Sequence, residues 1–389
     1  MLVFLLSGCN GTDYGNTSKK KTAEALFAGN FCRPYTNMAE TAETVYFIPG
    51  FSTDTDPMLY FLDKQSGQTG VLCNRPECLH QDKDCNAYMG FKVYGLSIYE
   101  GRIYWISTDY DSKDGKDITT VWCEKLDGTE RKTVRTLPYL GESYSGVPTM
   151  NTMAAFVNGS VYVCGEWVDG VRDGRNFLKE GIIRYSLVSD GQEMIEEREV
   201  AENEACTVQI QPSDQYVYYG TCKHEVGENG LQPGAKLMLA RYNTETEEPE
   251  PLYEGSPEGL FSFGEFRVNE TEILISNTLN CEVYSLSLAD GTMKLKADYS
   301  ESAPEARGVT FAEGKMILNQ GCAGDLIVLD MEGKEIFRHG PLAEMGTIFC
   351  GCDDWGLYFD QLDFMTFGGQ FIGMPYSGEE DQTLWKIGD

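Results

Sequence analysis

Along the chain a short polar turn is followed, again and again, by an apolar strand that usually carries a tyrosine near its middle. The pattern reads ETVYFI around Tyr46, EGRIYW around Tyr104, NGSVYV around Tyr162, DQYVYY around Tyr218, ETEILI around Leu274, EGKMIL around Ile317 and DWGLYF around Tyr358, with anchors 41 to 58 residues apart. After each comes a loop and then a second apolar strand, usually closed by a turn: MLYFLDKQSG, TTVWCEKLDG, GIIRYSLVSDG, KLMLARYNTET, EVYSLSLADG, LIVLDMEG and TLWKIGD. Asp127-Gly128, Asp190-Gly191 and Asp290-Gly291 are hairpin signals, because both residue types tolerate the positive φ that two-residue turns require. Unit two shows the whole plan, with FKVYGLSIYEG, RIYWISTDY, ITTVWCEKLDG and TERKTVRTL as four successive strands. No amphipathic helical period of any length interrupts it. Repetition at this spacing predicts an all-β chain, a seven-bladed β-propeller of four-stranded antiparallel blades. One unit split or merged in this count would give six or eight.

The last unit reads as ending on its third strand, TLWKIGD, which leaves ALFAGNFC at residues 25–32 as the candidate outer strand to close the ring. Antiparallel order also sorts the connections. Loops between second and third strands, and connections from one unit to the next, emerge on one face; the remaining turns emerge on the other. The long insertions fall in the first set: 110–117, 168–178, 225–234 and 363–381 within units, 74–89 and 138–151 between them. Loops on a rigid scaffold commonly carry function, so this face is the expected working surface. Its expected ligand-binding residues are Tyr139 and Tyr144 in one connection and Phe364, Phe367, Phe371 and Tyr376 in the glycine-rich stretch near the end, aromatics that suit sugar rings or peptides. The competing reading is that these rings pack on one another to hold the loop down.

Charge narrows the partners. Of 389 residues 61 are acidic and 31 are Lys or Arg, a formal charge of −30. Such a field repels nucleic acid and anionic lipid headgroups. With 41% hydrophobic residues the chain still has material for a packed core, so the acidity is not a signature of disorder.

The opening MLVFLLSGC sets an apolar run against Leu6, Ser7, Gly8 and Cys9, which resembles the lipobox of bacterial lipoproteins. Residues 1–9 then read as a truncated signal, 10–23 as a polar tether and 24–389 as a single propeller domain. The resemblance implies that Cys9 is lipidated and that the domain is extracytoplasmic, held at the cell membrane through that anchor alone. No Lys or Arg precedes the apolar run, so the charged leader of a secretory signal is missing from the sequence.

Residues 71–88, VLCNRPECLHQDKDCNAY, gather Cys73, Cys78, His80 and Cys85 within thirteen positions. Three thiolates and an imidazole can complete a tetrahedral zinc site. A Cys73–Cys85 disulfide, with Cys78 bonded to Cys32, would staple the same segment, and free thiols are the third reading. Each makes it a structural clasp. No other cofactor is expected. The lipobox, the repeated units and the LC-x-x-P-x-C-x-H-x4-C-x-A pattern of this segment resemble a group of lipid-anchored propeller lipoproteins from anaerobic Gram-positive bacteria, related in architecture to TolB-like propellers. That resemblance implies surface attachment and a binding role.

Other chemistry is sparse. Asp109, Asp111, Asp114 and Asp117 faintly resemble a calcium loop, but the twelfth position from Asp109 is Thr120 where a bidentate Glu belongs, so a solvated hairpin is expected. His224 and His339 stand apart from any serine or cysteine motif, and GxSxG, HExxH and phosphate-loop signatures are missing. The sequence therefore points to a monomeric cell-surface lipoprotein that binds a glycan or peptide without catalysis. A carbohydrate-active hydrolase or lyase using carboxylates in the central channel, and a scaffold for an envelope protein, are the alternatives.

Overall fold

The computed structural model describes residues 31–32 and 38–386, apart from 50–56, 81–82, 91–92, 112–115, 139–149, 173–174, 321–323, 343–346, 364–367 and single positions at 203, 214, 229, 307, 313 and 379. Seven antiparallel blades form a ring. A short β1 (Phe31–Cys32) precedes blade 1, which is β2 (Met38–Glu40), β3 (Thr44–Phe47), β4 (Tyr60–Asp63) and β5 (Thr69–Val71). Blade 2 is β6 (Val93–Tyr99), β7 (Arg102–Asp111), β8 (Lys116–Lys125) and β9 (Lys132–Leu137). Blade 3 is β10 (Met150–Val157), β11 (Ser160–Arg172), β12 (Arg175–Ser186) and β13 (Gln192–Val200). Blade 4 is β14 (Glu204–Pro212), β15 (Tyr216–Gly227), β17 (Lys236–Asn243) and β18 (Glu248–Gly255), with a small β16 (Gly230–Leu231) paired to the end of β15. Blade 5 is β19 (Phe263–Val268), β20 (Glu272–Asn277), β21 (Glu282–Ser287) and β22 (Met293–Asp298). Blade 6 is β23 (Thr310–Ala312), β24 (Lys315–Asn319), β25 (Asp325–Asp330) and β26 (Glu335–Pro341). Blade 7 is β27 (Thr347–Cys352), β28 (Gly356–Asp363), β29 (Gly368–Pro375) and β30 (Gln382–Lys386).

All seven anchors of the repeat fall on the second strand of a blade, from Tyr46 on β3 to Tyr358 on β28. A second strand is covered on both faces by the neighbouring blades, so its residues are apolar almost without alternation. That is why it gives the clearest sequence signal. A separate hydrophobic cluster fills each seam: Trp105 and Leu96 meet Tyr46 and Ile48 between blades 2 and 1, and Val161 and Phe156 meet Ile106 and Val121 between blades 3 and 2. The stability of the ring is therefore distributed over its seams, each a layer of interdigitated side chains.

The seam between blades 7 and 1 closes the ring, and it differs from the expected closure. TLWKIGD supplies the fourth strand of blade 7, β30, and GGQFIGMP supplies the third, β29, so the blade is built from consecutive strands. Residues 25–30 lie outside the described residues. Phe31 and Cys32 pair with Ala155 and Ala154 on β10, at the inner edge of blade 3. Closure is instead made by side chains: Val45, Phe47 and Leu62 of blade 1 pack on Tyr358, Phe371 and Leu384 of blade 7. Lys64 Nζ lies 2.9 Å from Asp353 across the same seam and 2.6 Å from Glu40 of its own blade, and within blade 7 Tyr358 donates to Asp353 at 3.0 Å.

Blade 1 holds a second departure. Its outer strand is split. The first half, β5, pairs with β4 through Tyr60–Val71 and Phe61–Gly70, and the Leu72 N–H donates to the Leu59 carbonyl at 2.8 Å. The second half returns as residues 85–89. The Leu59 N–H donates to the Ala87 carbonyl at 2.8 Å, Met58 bridges Tyr88, and the Met89 N–H donates to the Pro57 carbonyl at 2.9 Å. Residues 73–84 are an excursion from the middle of this outer strand. They leave from the flank of the ring and are not a connection on the expected working face.

Candidate functional site

The face bearing the links between second and third strands is uneven. In blades 5 and 6 the flanking strands are five or six residues long, whereas β7 and β8 have 10 each, β11 has 13, β12 has 12 and β15 has 12. At about 3.3 Å per residue the surplus lifts the blade 3 hairpin roughly 20 Å above blades 5 and 6. The stretches 168–178 and 225–234 are thus continued ladders: β11 stays paired with β12 out to Arg172–Arg175 across a bulge at Val168–Gly170, and β16 folds back on β15. The Asp109–Asp117 stretch is likewise a hairpin, with Asp111 opposite Lys116. Three adjacent blades therefore raise a crest along one side of the ring.

The crest and the lower face beside it are partly apolar. Ile118 on β8 and Val226 on β15, both on the crest, and Leu260 in the link from blade 4 to blade 5 and Leu279 in the turn after β20, both beside it, leave their side chains exposed. Leu279 also borders a cavity of about 280 Å³ lined by Asn280, Glu282, Ser300, Ala303 and Pro304, between the blade 5 turn and the link to blade 6. Sequence reasoning missed these aliphatics because single exposed Leu or Ile residues are ordinary in any surface; only their shared face gives them meaning.

The predicted aromatic residues fare differently. Tyr139, Tyr144, Phe364 and Phe367 lie outside the described residues, as does Cys9. Phe371 does not face a ligand: it is 1% exposed and stacks on Phe47 with ring centroids 4.1 Å apart. The expectation fails there because residues 368–375 form β29, a glycine-rich strand that reads as a loop. Gly373 is needed in it, since a Cβ at that position would sit 2.7 Å from the Trp355 ring. Tyr376 is half-buried, edge-on to Phe337 at 5.4 Å with Lys315 over its ring.

The cysteine and histidine cluster is brought together. One donor atom from each of Cys73, Cys78, His80 and Cys85 lies within 4.8 Å of every other. None of the three cysteines is in a disulfide, Cys85 is fully buried, and His80 Nδ1 sits 3.4 Å from the Cys85 sulfur. Cys73 ends the first half of the split strand and Cys85 begins the second. The side chain of Cys32 is not among those described. Arg131, at the entry to β9, reaches over from blade 2: its guanidinium stacks on Trp122 at 4.7 Å and on Tyr88 and Trp105 at 5.7 Å, and it donates to the Cys85 carbonyl at 3.4 Å. Next to Cys73 a cavity of about 310 Å³, lined by Thr44, Tyr46, Asp63 and Asp127, opens toward the tight-turn face.

Two carboxyl groups are sealed inside. Glu124 on β8 and Glu180 on β12 are both buried, and neither has a hydrogen-bond partner on its oxygens. Desolvation drives each up to about 8; for Glu124 the nearby Arg131 opposes the rise, and for Glu180 the adjacent Glu166 adds to it. Glu166 and Glu180 are direct cross-strand partners at the base of the blade 3 hairpin. They are two acids on neighbouring strands of one blade, with Glu180 shut off from solvent. Glycoside hydrolysis needs two carboxyls flanking a substrate across a cleft, and this pair does not flank one.

No protein-family model matches the chain, and no curated protein matches it in sequence. Solved structures do resemble it. A putative 6-phosphogluconolactonase from Bacteroides uniformis is similar at 10% identity over 87% of this chain and 94% of that one, with a TM-score of 0.52. The acylaminoacyl peptidase of Pyrococcus horikoshii is similar at 10% identity over 91% of this chain, with a TM-score of 0.50. The chain spans about half the length of that peptidase, 53% of it being matched. The β-propeller domain of the Trilobed protease from Pyrococcus furiosus is matched over 92% of this chain and 98% of that domain at 10% identity, with a TM-score of 0.48. At such identities what the chain shares with the first two of these proteins is the fold, and the chemistry of each stays its own.

Proposed function

We propose that this chain is a non-enzymatic binding propeller that takes a peptide on the face beside the blade 2–4 crest, and that it works outside the cytoplasm, held at the membrane by a lipid on Cys9. The observation that carries the reading is the asymmetry of the two faces in their loops: three adjacent tall hairpins and the exposed Ile118, Val226, Leu260 and Leu279 share one face, whereas the other has only tight turns among the described residues. Aliphatic side chains complement apolar peptide side chains, whereas sugar rings favour flat aromatic surfaces. Glycan therefore ranks second. The charge of −30 favours a peptide with basic residues around an apolar anchor.

The test is a pair of arrays, one of basic-apolar peptides and one of glycans, probed with the chain carrying Cys9→Ser. Peptide binding in the micromolar range that weakens at least tenfold in a Leu260→Asp/Leu279→Asp double variant is the expected outcome, about 1.4 kcal/mol per tenfold. Both positions are exposed, so the variant should fold as the parent does. Glycan binding unaffected by that variant would sink the peptide assignment, and turnover of any arrayed ligand would sink the non-enzymatic one. For the anchor, globomycin treatment of a producing cell with its native leader should leave the chain unprocessed; processing that continues would remove Cys9 from the account.

A further inference from the structure

We propose that Cys73, Cys78, His80 and Cys85 form a closed site for one structural Zn²⁺, which latches the two halves of the split outer strand of blade 1. This inference does not depend on the binding reading above.

The first argument is convergence. Four donors from a thirteen-residue stretch lie within 4.8 Å of one another. With Zn–S near 2.3 Å and Zn–N near 2.0–2.1 Å, a tetrahedral centre needs donor separations of about 3.4–3.8 Å. A contraction of an ångström or less brings the set there. A disulfide would use two of the sulfurs and leave a third thiol and an imidazole turned inward to no purpose.

The backbone supports the same assignment. His80 adopts φ +55°, a left-handed conformation that costs a non-glycine residue energy and persists only where the surroundings over-determine it. Here the turn carries the imidazole back toward Cys85, with Nδ1 at 3.4 Å from its sulfur. The N–H groups of Arg75 and Asn86 face the Cys73 sulfur and that of Ala87 faces the Cys85 sulfur. Backbone donors aimed at sulfur fix the ligand before the ion arrives. Three sulfurs and one nitrogen in tetrahedral array select zinc among the common divalent ions, and with all four positions filled by protein no site is left for water or substrate.

The location shows what the ion does. The excursion has no core of its own, as the 78% exposure of Leu79 shows. Its two ends carry Cys73 and Cys85, and among the described residues Leu59 alone hydrogen-bonds to both half-strands. Without a tie there, the outer edge of blade 1 would depend on a few ladder bonds. With it, the half-strands are one element, and Arg131 couples that element to blade 2 through the Cys85 carbonyl and the Tyr88 ring.

The test uses the full chain with Cys9→Ser, expressed in zinc-supplemented medium and purified without chelator. Elemental analysis should find about one zinc per chain. Cobalt exchanged into the site should give tetrahedral ligand-field bands together with sulfur-to-metal charge transfer, and its removal with a chelator should raise amide exchange at 57–59 and 85–89 before blade 5. Cys78→Ser should lower zinc content at least tenfold, and His80→Cys should keep it. If Cys78→Ser fails to fold, the cobalt spectrum of the parent decides. A metal-free chain whose 73–85 peptide is two hydrogen masses light would replace the ion by a disulfide. Metal-free chain with freely titrating native thiols, or undiminished zinc in Cys78→Ser, would equally overturn the proposal.

Discussion

Phe371→Ala should destabilise the chain by about 3–5 kcal/mol, the range for emptying a buried phenylalanine site, and the damage should concentrate at the seam where the ring closes. The ring of Phe371 lies nearly parallel to Phe47, 8° between planes and 4.1 Å between centroids, and Tyr358 continues the stack at 6.2 Å. Two of these rings belong to blade 7 and one to blade 1. Blades 1 and 7 are each assembled from consecutive strands, so among the described residues no shared ladder crosses this seam, and the packing of Val45, Phe47 and Leu62 on Tyr358, Phe371 and Leu384 carries the closure. Lys64 adds an ion pair to Asp353 across the same seam, but a partly exposed pair contributes far less than the rings. Urea unfolding measures the loss, with Ile336→Ala on the exposed outer strand of blade 6 as a control expected to stay within about 0.5 kcal/mol. Amide exchange should quicken on β3 and β28 ahead of β11 and β15. A loss below about 1 kcal/mol, or exchange that rises evenly around the ring, would show that closure resides elsewhere.

That seam also marks the limit of what the sequence makes legible. Local pattern sufficed wherever a strand is buried on both sides: the second strands carry aliphatic and tyrosine runs whose spacing gives the blade number. It failed where burial falls on glycine. In β29 the approach of Trp355 to Gly373 and the register of Phe371 opposite Trp385 are long-range facts, and GGQFIGMP offers neither alternation nor a continuous apolar run. Pairing partners were equally hidden. Nothing in Phe31–Cys32 announces that it will join β10 at the inner edge of blade 3, and nothing in residues 85–89 announces that they resume a strand broken at Leu72. The Cys and His residues were legible as a cluster because thirteen residues of chain keep them close in any fold. Their role as the tie of a split strand needed the partners of Leu59. The working face was half legible: antiparallel order places the insertions together, whereas their continuation as tall hairpins depends on register, which one extra residue at the Val168–Gly170 bulge already shifts.

The buried acid Glu180 leads to the second large effect, a stability that declines as pH rises through neutrality. Sealed among Cys206, Glu166 and Arg198, its carboxyl is raised to about 8 by burial first and by the charge of Glu166 second; Glu166 itself is raised by desolvation. In the unfolded chain Glu180 ionises near 4.5. Between those two values the native state holds a proton that the unfolded state has released, so each step up in pH favours unfolding. Stabilisation is complete below about 4.5, falls through the window up to about 8 and levels off above it. A shift of that size corresponds to on the order of 5 kcal/mol at full extent. Surface acids act in the opposite direction and lower in pH: Asp63, Asp127 and Asp298 are held low by hydrogen bonds from Ser66, Thr129 and Ser300, and their contribution disappears only as pH falls below the ordinary carboxylate range. Glu180→Gln keeps shape and removes the titration. It should match the parent within about 1 kcal/mol at pH 5, exceed it by several at pH 8.5 and make the decline between shallower, the remaining fall belonging to Glu124, which burial raises likewise. Urea titrations of both chains from pH 5 to 8.5 give the comparison. A difference between them that does not change with pH would mean that Glu180 is already ionised in the folded ring, and that its carboxylate has found a partner the sealed seam between blades 3 and 4 does not now provide.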